Sequence, residues 1–95
     1  NFCVNGEVGT LRLVAKARDE KSGRKLEVYS DLPGVQLYTG NFMDGEEGKN
    51  GIGLDKHFGF CLETQYYPDT PNHPEFPQCT FKAGEKFKSL TIFKV

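Results

Sequence analysis

The sequence predicts an all-β protein, an antiparallel β-sandwich. Three observations carry that expectation. Apolar and polar residues alternate with a period of two in several short runs, Gly- and Pro-containing segments separate those runs, and no window of about 11 residues carries an apolar stripe at helical spacing. Successive side chains of a strand point to opposite faces, so alternation is what a half-buried strand requires. Leu11, Leu13, Ala15 and Ala17 alternate with Arg12, Lys16 and Arg18 in the first run. Asp19 to Arg24 is polar and contains Gly23, as a hairpin turn should, and the returning strand sets Leu26, Val28 and Ser30 against Glu27, Tyr29 and Asp31. Leu32-Pro33-Gly34 then punctuates the chain before Val35–Thr39, a short strand rich in β-formers. Residues 44–55, with Gly45, Gly48, Gly51 and Gly53, read as a surface loop. Phe60–Gln65 is the next strand, Lys82–Lys86 a turn, and 87–95 the closing strand with the clearest pattern.

At 95 residues the chain is one domain at most, with room for a modest core. It begins Asn1-Phe2-Cys3 without an initiator Met, which is expected of a processed or excised segment. A hydrophobic content of 37% beside 26% charged residues suits a folded globular chain. Twelve basic residues against 13 acidic ones leave no excess charge to attract nucleic acid or an anionic membrane, and no apolar stretch is long enough to span a bilayer. Cys3, Cys61 and Cys79 are odd in number and widely spaced without a CxxC, so they read as free thiols in a reducing compartment, the cytoplasm.

The chemistry-bearing residues sit on two of the strands. On Phe60–Gln65, Phe60, Leu62 and Thr64 share one face while Cys61, Glu63 and Gln65 share the other. On Val35–Thr39, Val35 and Leu37 oppose Gln36 and Tyr38. A carboxylate, two amides and a phenol suit a sugar, because carboxylates and amides bond hydroxyls and an aromatic ring covers the apolar side of a pyranose. An ordinary solvent-facing sheet surface has the same pattern and is the commoner case, so alternation alone leaves both readings open. Three other signals are set aside. GEEGKN at 45–50 has the wrong spacing for a phosphate loop, and 44–55 lacks the ligand order of a calcium loop. His73-Pro74-Glu75 resembles the H-x-E of zinc deaminases but no PCxxC follows, so no metal is expected. Pro68, Pro71, Pro74 and Pro77 match the repeat of a polyproline II ligand, which would make the segment a docking motif. Tyr66, Tyr67 and Phe76 are costly to leave in water, so a loop packed on the sheet as a rigid wall beside Glu63 is the preferred reading.

PGVQLYTGNFMDG (33–45), GFCLETQ (59–65), PDTPNHPEFP (68–77) and AGEKFKSLTIFKV (83–95) resemble, in order, the C-terminal portion of the aldose 1-epimerase (galactose mutarotase) family. SGRKLEVYSDLPGVQ (22–36) resembles it too, and Asn1-Phe2 looks like the end of the family's DHNF motif. The resemblance implies a β-supersandwich with residues 1–95 as the C-terminal segment of one domain. It also implies cofactor-free interconversion of the α and β anomers of galactose and glucose, with the monosaccharide substrate as partner. It makes Glu63 of CLETQ the general base and Gln36 of GVQ a substrate-binding residue. The family's acid is a histidine upstream of these residues, and neither His57 nor His73 matches it. The isolated segment is therefore expected to be inactive and to expose strand edges. A non-catalytic carbohydrate-binding module on the same sandwich is the alternative.

Overall fold

In a computed structural model that describes residues 1–95 throughout, the alternating runs pair into antiparallel sheets. Eight strands form: β1 (Phe2–Cys3), β2 (Arg12–Arg18), β3 (Lys25–Ser30), β4 (Gly34–Tyr38), β5 (Glu46–Glu47), β6 (Gly53–Leu54), β7 (Cys61–Gln65) and β8 (Thr91–Lys94). Two three-stranded sheets, ordered β1-β4-β7 and β2-β3-β8, make up the sandwich, and β5-β6 is a separate ribbon. The predicted β2–β3 hairpin is present, its turn closed by the Asp19 carboxylate, which accepts from the Ser22 hydroxyl and from the Lys21 and Ser22 amides. These bonds, the Ser22 hydroxyl first, hold the Asp19 carboxyl below its ordinary pKa.

The sheets meet through a small core. Val28 is fully buried and Val35 nearly so, and beside them a hydroxyl chain crosses the interface. Thr91 Oγ1 of β8 lies 2.7 Å from Thr64 Oγ1 of β7 and 3.2 Å from Ser30 Oγ of β3. Buried hydroxyls are costly unless bonded, and here they satisfy one another across the layers. Arg12 ties the same end together by donating to the backbone carbonyls of Asn5, Thr10, Ser30 and Leu32. At the other end the layers part. Leu37 is 41% and Phe60 51% exposed there, over a hollow of about 540 Å³ lined by Ala15, Ala17, Leu37, Phe60 and Leu62.

Three sequence expectations are corrected. The β2–β3 register shifts between Leu13 and Ala15, so Leu13 pairs with Tyr29 while Ala15 pairs with Val28. This bulge at Val14 sends Leu13 to the face opposite Ala15 and Ala17, where it is 47% exposed. The closing strand spans only Thr91–Lys94, because its partner β3 offers Glu27–Ser30 and then turns away at Asp31. Residues 87–90 have no strand beside them, and Phe87 packs instead against Phe81 (5.2 Å between ring centroids) and Tyr66 (6.4 Å). The glycine-rich loop contains the β5-β6 ribbon, closed by a single 3-10 turn at Lys49–Gly51. No helix is long and apolar enough to cross a membrane.

Candidate functional site

The site residues expected from the sequence lie on the outer face of the β1-β4-β7 sheet. In the β4–β7 register Gln36 stands directly opposite Glu63, with Gly34 opposite Gln65 on one side and Tyr38 opposite Cys61 on the other. Directly opposed residues share a face with Cβ atoms roughly 4.5–5.5 Å apart, so the amide and the carboxylate form one cross-strand pair. Val35, Leu37, Leu62 and Thr64 take the inner face by the same parity. Glu63 is exposed and Gln36 half-buried. These 95 residues alone therefore do not enclose the Glu63 carboxylate. Glu63 and Gln36 line none of the three main hollows, which belong to the inner face and to sheet β2-β3-β8.

The ends of this outer lane are furnished differently. At the Tyr38 end the Phe42 backbone N–H donates to Tyr38 Oη at 3.2 Å, and the two rings stack at 6.4 Å with planes 16° apart. At the Gly34 end, β1 pairs with β4 so that Cys3 lies opposite Gly34. Gln65 Nε2 donates to Asn1 Oδ1 at 3.0 Å, a bond that reaches from β7 across β4. Gly34 itself is buried in extended backbone, and a Cβ there would fall 2.7 Å from Asn1 Oδ1 and 3.0 Å from Tyr67 Cδ1. The glycine is favoured here by the close approach of these two side chains rather than by φ. The sequence reading counts Gln65 among the sugar-suited groups and Tyr67 in the wall beside Glu63, but it assigns neither Asn1 nor Tyr67 a place on this sheet. Parity does place Gln65 with Glu63, but Tyr67 lies beyond the end of β7, where alternation carries no information.

The proline segment packs as a wall and not as an extended ligand. Backbone bonds from Thr70 to Tyr67, Asn72 to Asp69, His73 to Thr70 and Phe76 to His73 wind it into successive tight turns, whereas a polyproline II helix has no internal hydrogen bonds. Tyr67 meets Phe76 edge-to-face at 5.3 Å, and Phe76 stacks on His73 at 4.7 Å. His73 Nδ1 lies 2.9 Å from Glu75 Oε1 and its Nε2 3.4 Å from Asp69 Oδ2. Burial, and secondarily the Cys3 thiol beside it, push the Tyr67 phenol above its ordinary pKa. His57 is held elsewhere, its Nδ1 2.8 Å from the Thr39 carbonyl oxygen and its ring in the inner-face hollow, so neither histidine is placed beside Glu63 by a bond or contact. Cys3, Cys61 and Cys79 are all unpaired, and no group of three or more His, Cys, Asp or Glu side chains converges as a metal site would need.

A family model described as aldose 1-epimerase matches residues 1–94. Galactose mutarotase of Bos taurus is 52% identical over 95 residues, covering 99% of this chain and 28% of that protein. The Homo sapiens galactose mutarotase is 50% identical over the same shares. Aldose 1-epimerase of Escherichia coli (strain K12) is 40% identical over 78 residues, which are 80% of this chain and 22% of that protein. The chain thus spans little more than a quarter of the length of the curated relatives it matches.

Proposed function

Since this chain belongs to the aldose 1-epimerase family, we propose that it supplies the base-bearing part of a mutarotase active site, in which Glu63 is the general base and Gln36 a substrate ligand. The observation that carries this reading is the direct cross-strand pairing of Gln36 with Glu63 on an outward sheet face. The substrate is a hexose such as galactose, the sugar named in the mammalian relatives. Glu63 takes the proton of the C1 hydroxyl while an acid delivers one to the ring oxygen. The C1–O5 bond breaks and an open aldehyde forms. Rotation about C1–C2 turns the other carbonyl face towards the ring hydroxyl, which closes on it as Glu63 returns its proton to the new C1 oxygen and the acid recovers its own. Gln36 contributes an amide that both donates to and accepts from sugar hydroxyls. The carboxylate, the amide and that acid perform this without a cofactor.

The acid comes from residues outside these 95, because His57 and His73 are engaged with Thr39 on one side and with Asp69 and Glu75 on the other. The segment is the C-terminal part of a single sandwich domain, and alone it is inactive. The parted inner face supports this, since exposed Leu37 and Phe60 are surfaces that further strands of the same sandwich would cover. The three free thiols fit a reducing compartment such as the cytoplasm.

Polarimetry of α-galactose mutarotation by the natural chain that carries these residues, as wild type and as Glu63→Gln, tests the reading. Gln keeps the shape and removes the base, so kcat is expected to fall ~10²-fold or more. Equal rates would place the base elsewhere. Sugar binding with no turnover in the wild type would indicate the binding-module alternative.

A further inference from the structure

Tyr67 is the one large side chain that the sheet has been emptied to receive. It follows Gln65, whose partner in the register is Gly34, and its ring lies over Gly34 on the same outer face as Gln36 and Glu63. Its hydroxyl lies beside the thiol of Cys3, the residue that pairs with Gly34 from the other side. The side chain therefore starts two residues beyond the end of β7, passes over Gly34 of β4 and ends beside Cys3 of β1. It is a bar laid across that end of the site sheet. Gly34 is two residues from Gln36 on one face, so the bar stands only about 7 Å along the strand from the Gln36–Glu63 pair. Phe76 supports the ring edge-on, and the Thr70 amide and hydroxyl both donate to the Tyr67 carbonyl, which fixes the backbone beneath it. Thr70 is itself buried.

We propose that Tyr67 is a substrate-positioning residue, the end wall of the sugar lane, which stops the pyranose in register with Gln36 and Glu63. This rests on the reading of Glu63 and Gln36 as the sugar site. The wall acts through its ring, which excludes water and fills the space beyond the bound sugar. It takes no proton and forms no bond in the reaction. Gly34 is what allows the wall to stand this close. The Asn1–Gln65 bond runs across the same end and borders the bar.

The test measures galactose affinity by calorimetry on the natural full chain in a Glu63→Gln background, where turnover does not complicate binding. Tyr67→Ala is expected to raise Kd about tenfold, and Tyr67→Phe, which restores the ring, to recover most of that loss. In the chain that retains Glu63, Tyr67→Ala should raise KM by a similar factor while kcat falls far less, the pattern of lost positioning rather than lost chemistry. An affinity within about twofold of the parent would overturn the proposal, and so would a fall in kcat at unchanged KM. If Tyr67→Ala does not fold, Tyr67→Val, which keeps a small apolar group but removes the ring that fills the end of the lane, is judged by the same criteria. Failure of the base assignment looks different: Glu63→Gln would then turn over like wild type while the affinity comparison still reads Tyr67.

Discussion

The two faces of the β1-β4-β7 sheet are made from alternate residues of the same strands, yet they perform opposite tasks. The inner face buries Val35 and joins Thr64 to Thr91 and Ser30, so its residues hold the sandwich together. The outer face carries Gln36, Glu63 and Gln65, and Glu63 remains exposed although it is next in sequence to Leu62 and Thr64. Packing leaves few choices for the inner residues, because each must fill a defined space and satisfy its hydroxyl internally. The outer residues are free of that constraint, and their identities then have to be explained by what they contact. Most of the stability of this sheet therefore resides on one face, and the chemistry proposed for it on the other.

That division can be broken by substitution. The largest effect expected is on the outer face, where Glu63→Gln lowers kcat ~10²-fold or more while leaving the thermal midpoint nearly unchanged. Val35→Ala on the inner face should do the reverse. It removes two buried methyl groups and leaves a cavity, costing roughly 1.5–3 kcal/mol of stability in denaturant titration with a much smaller change in kcat. Thr91→Val should follow closely. It leaves the Thr64 hydroxyl without a protein partner and the Ser30 hydroxyl with only the Leu32 amide that donates to it, at a cost of about 1–3 kcal/mol, whereas Thr64→Val leaves Thr91 its contact with Ser30 and should cost only about 1 kcal/mol. Equal losses from the two threonine variants would show that the chain is not centred on Thr91.

The smallest effect belongs to the other sheet. Glu27 accepts from the Tyr29 hydroxyl at 3.0 Å and pairs with Lys16 Nζ at 3.2 Å, and these, Tyr29 first, lower its pKa from the ordinary 4.5. A depressed folded pKa stabilises fully above the unfolded value and is lost as pH falls through the folded one. Wild type should thus lose stability slightly faster than Glu27→Gln below pH 4.5, and parallel melting curves against pH would remove the pair from the stability account.

Alternation along Val35–Thr39 and Phe60–Gln65 was enough to set Gln36 and Glu63 apart from the core, because side-chain parity in a strand is a property of covalent geometry. The sequence also determined the hairpin at 19–24, through local turn chemistry, and membership in the family, through long ordered motifs. Other features needed a partner strand before they existed. Leu11 to Ala17 reads as one unbroken alternation in the sequence, and only pairing with β3 decided that Val14 is a bulged residue. The run 87–95 has strand character throughout, yet strand structure formed only where β3 supplied hydrogen-bonding groups. Which residue of β4 stands opposite Glu63 depends on register, a relation between segments distant in the chain, and tertiary structure alone decided that it is Gln36. The same holds for Tyr67. Gly34 is read from the sequence as turn punctuation, and only the fold shows it to be the place where an aromatic ring crosses the sheet.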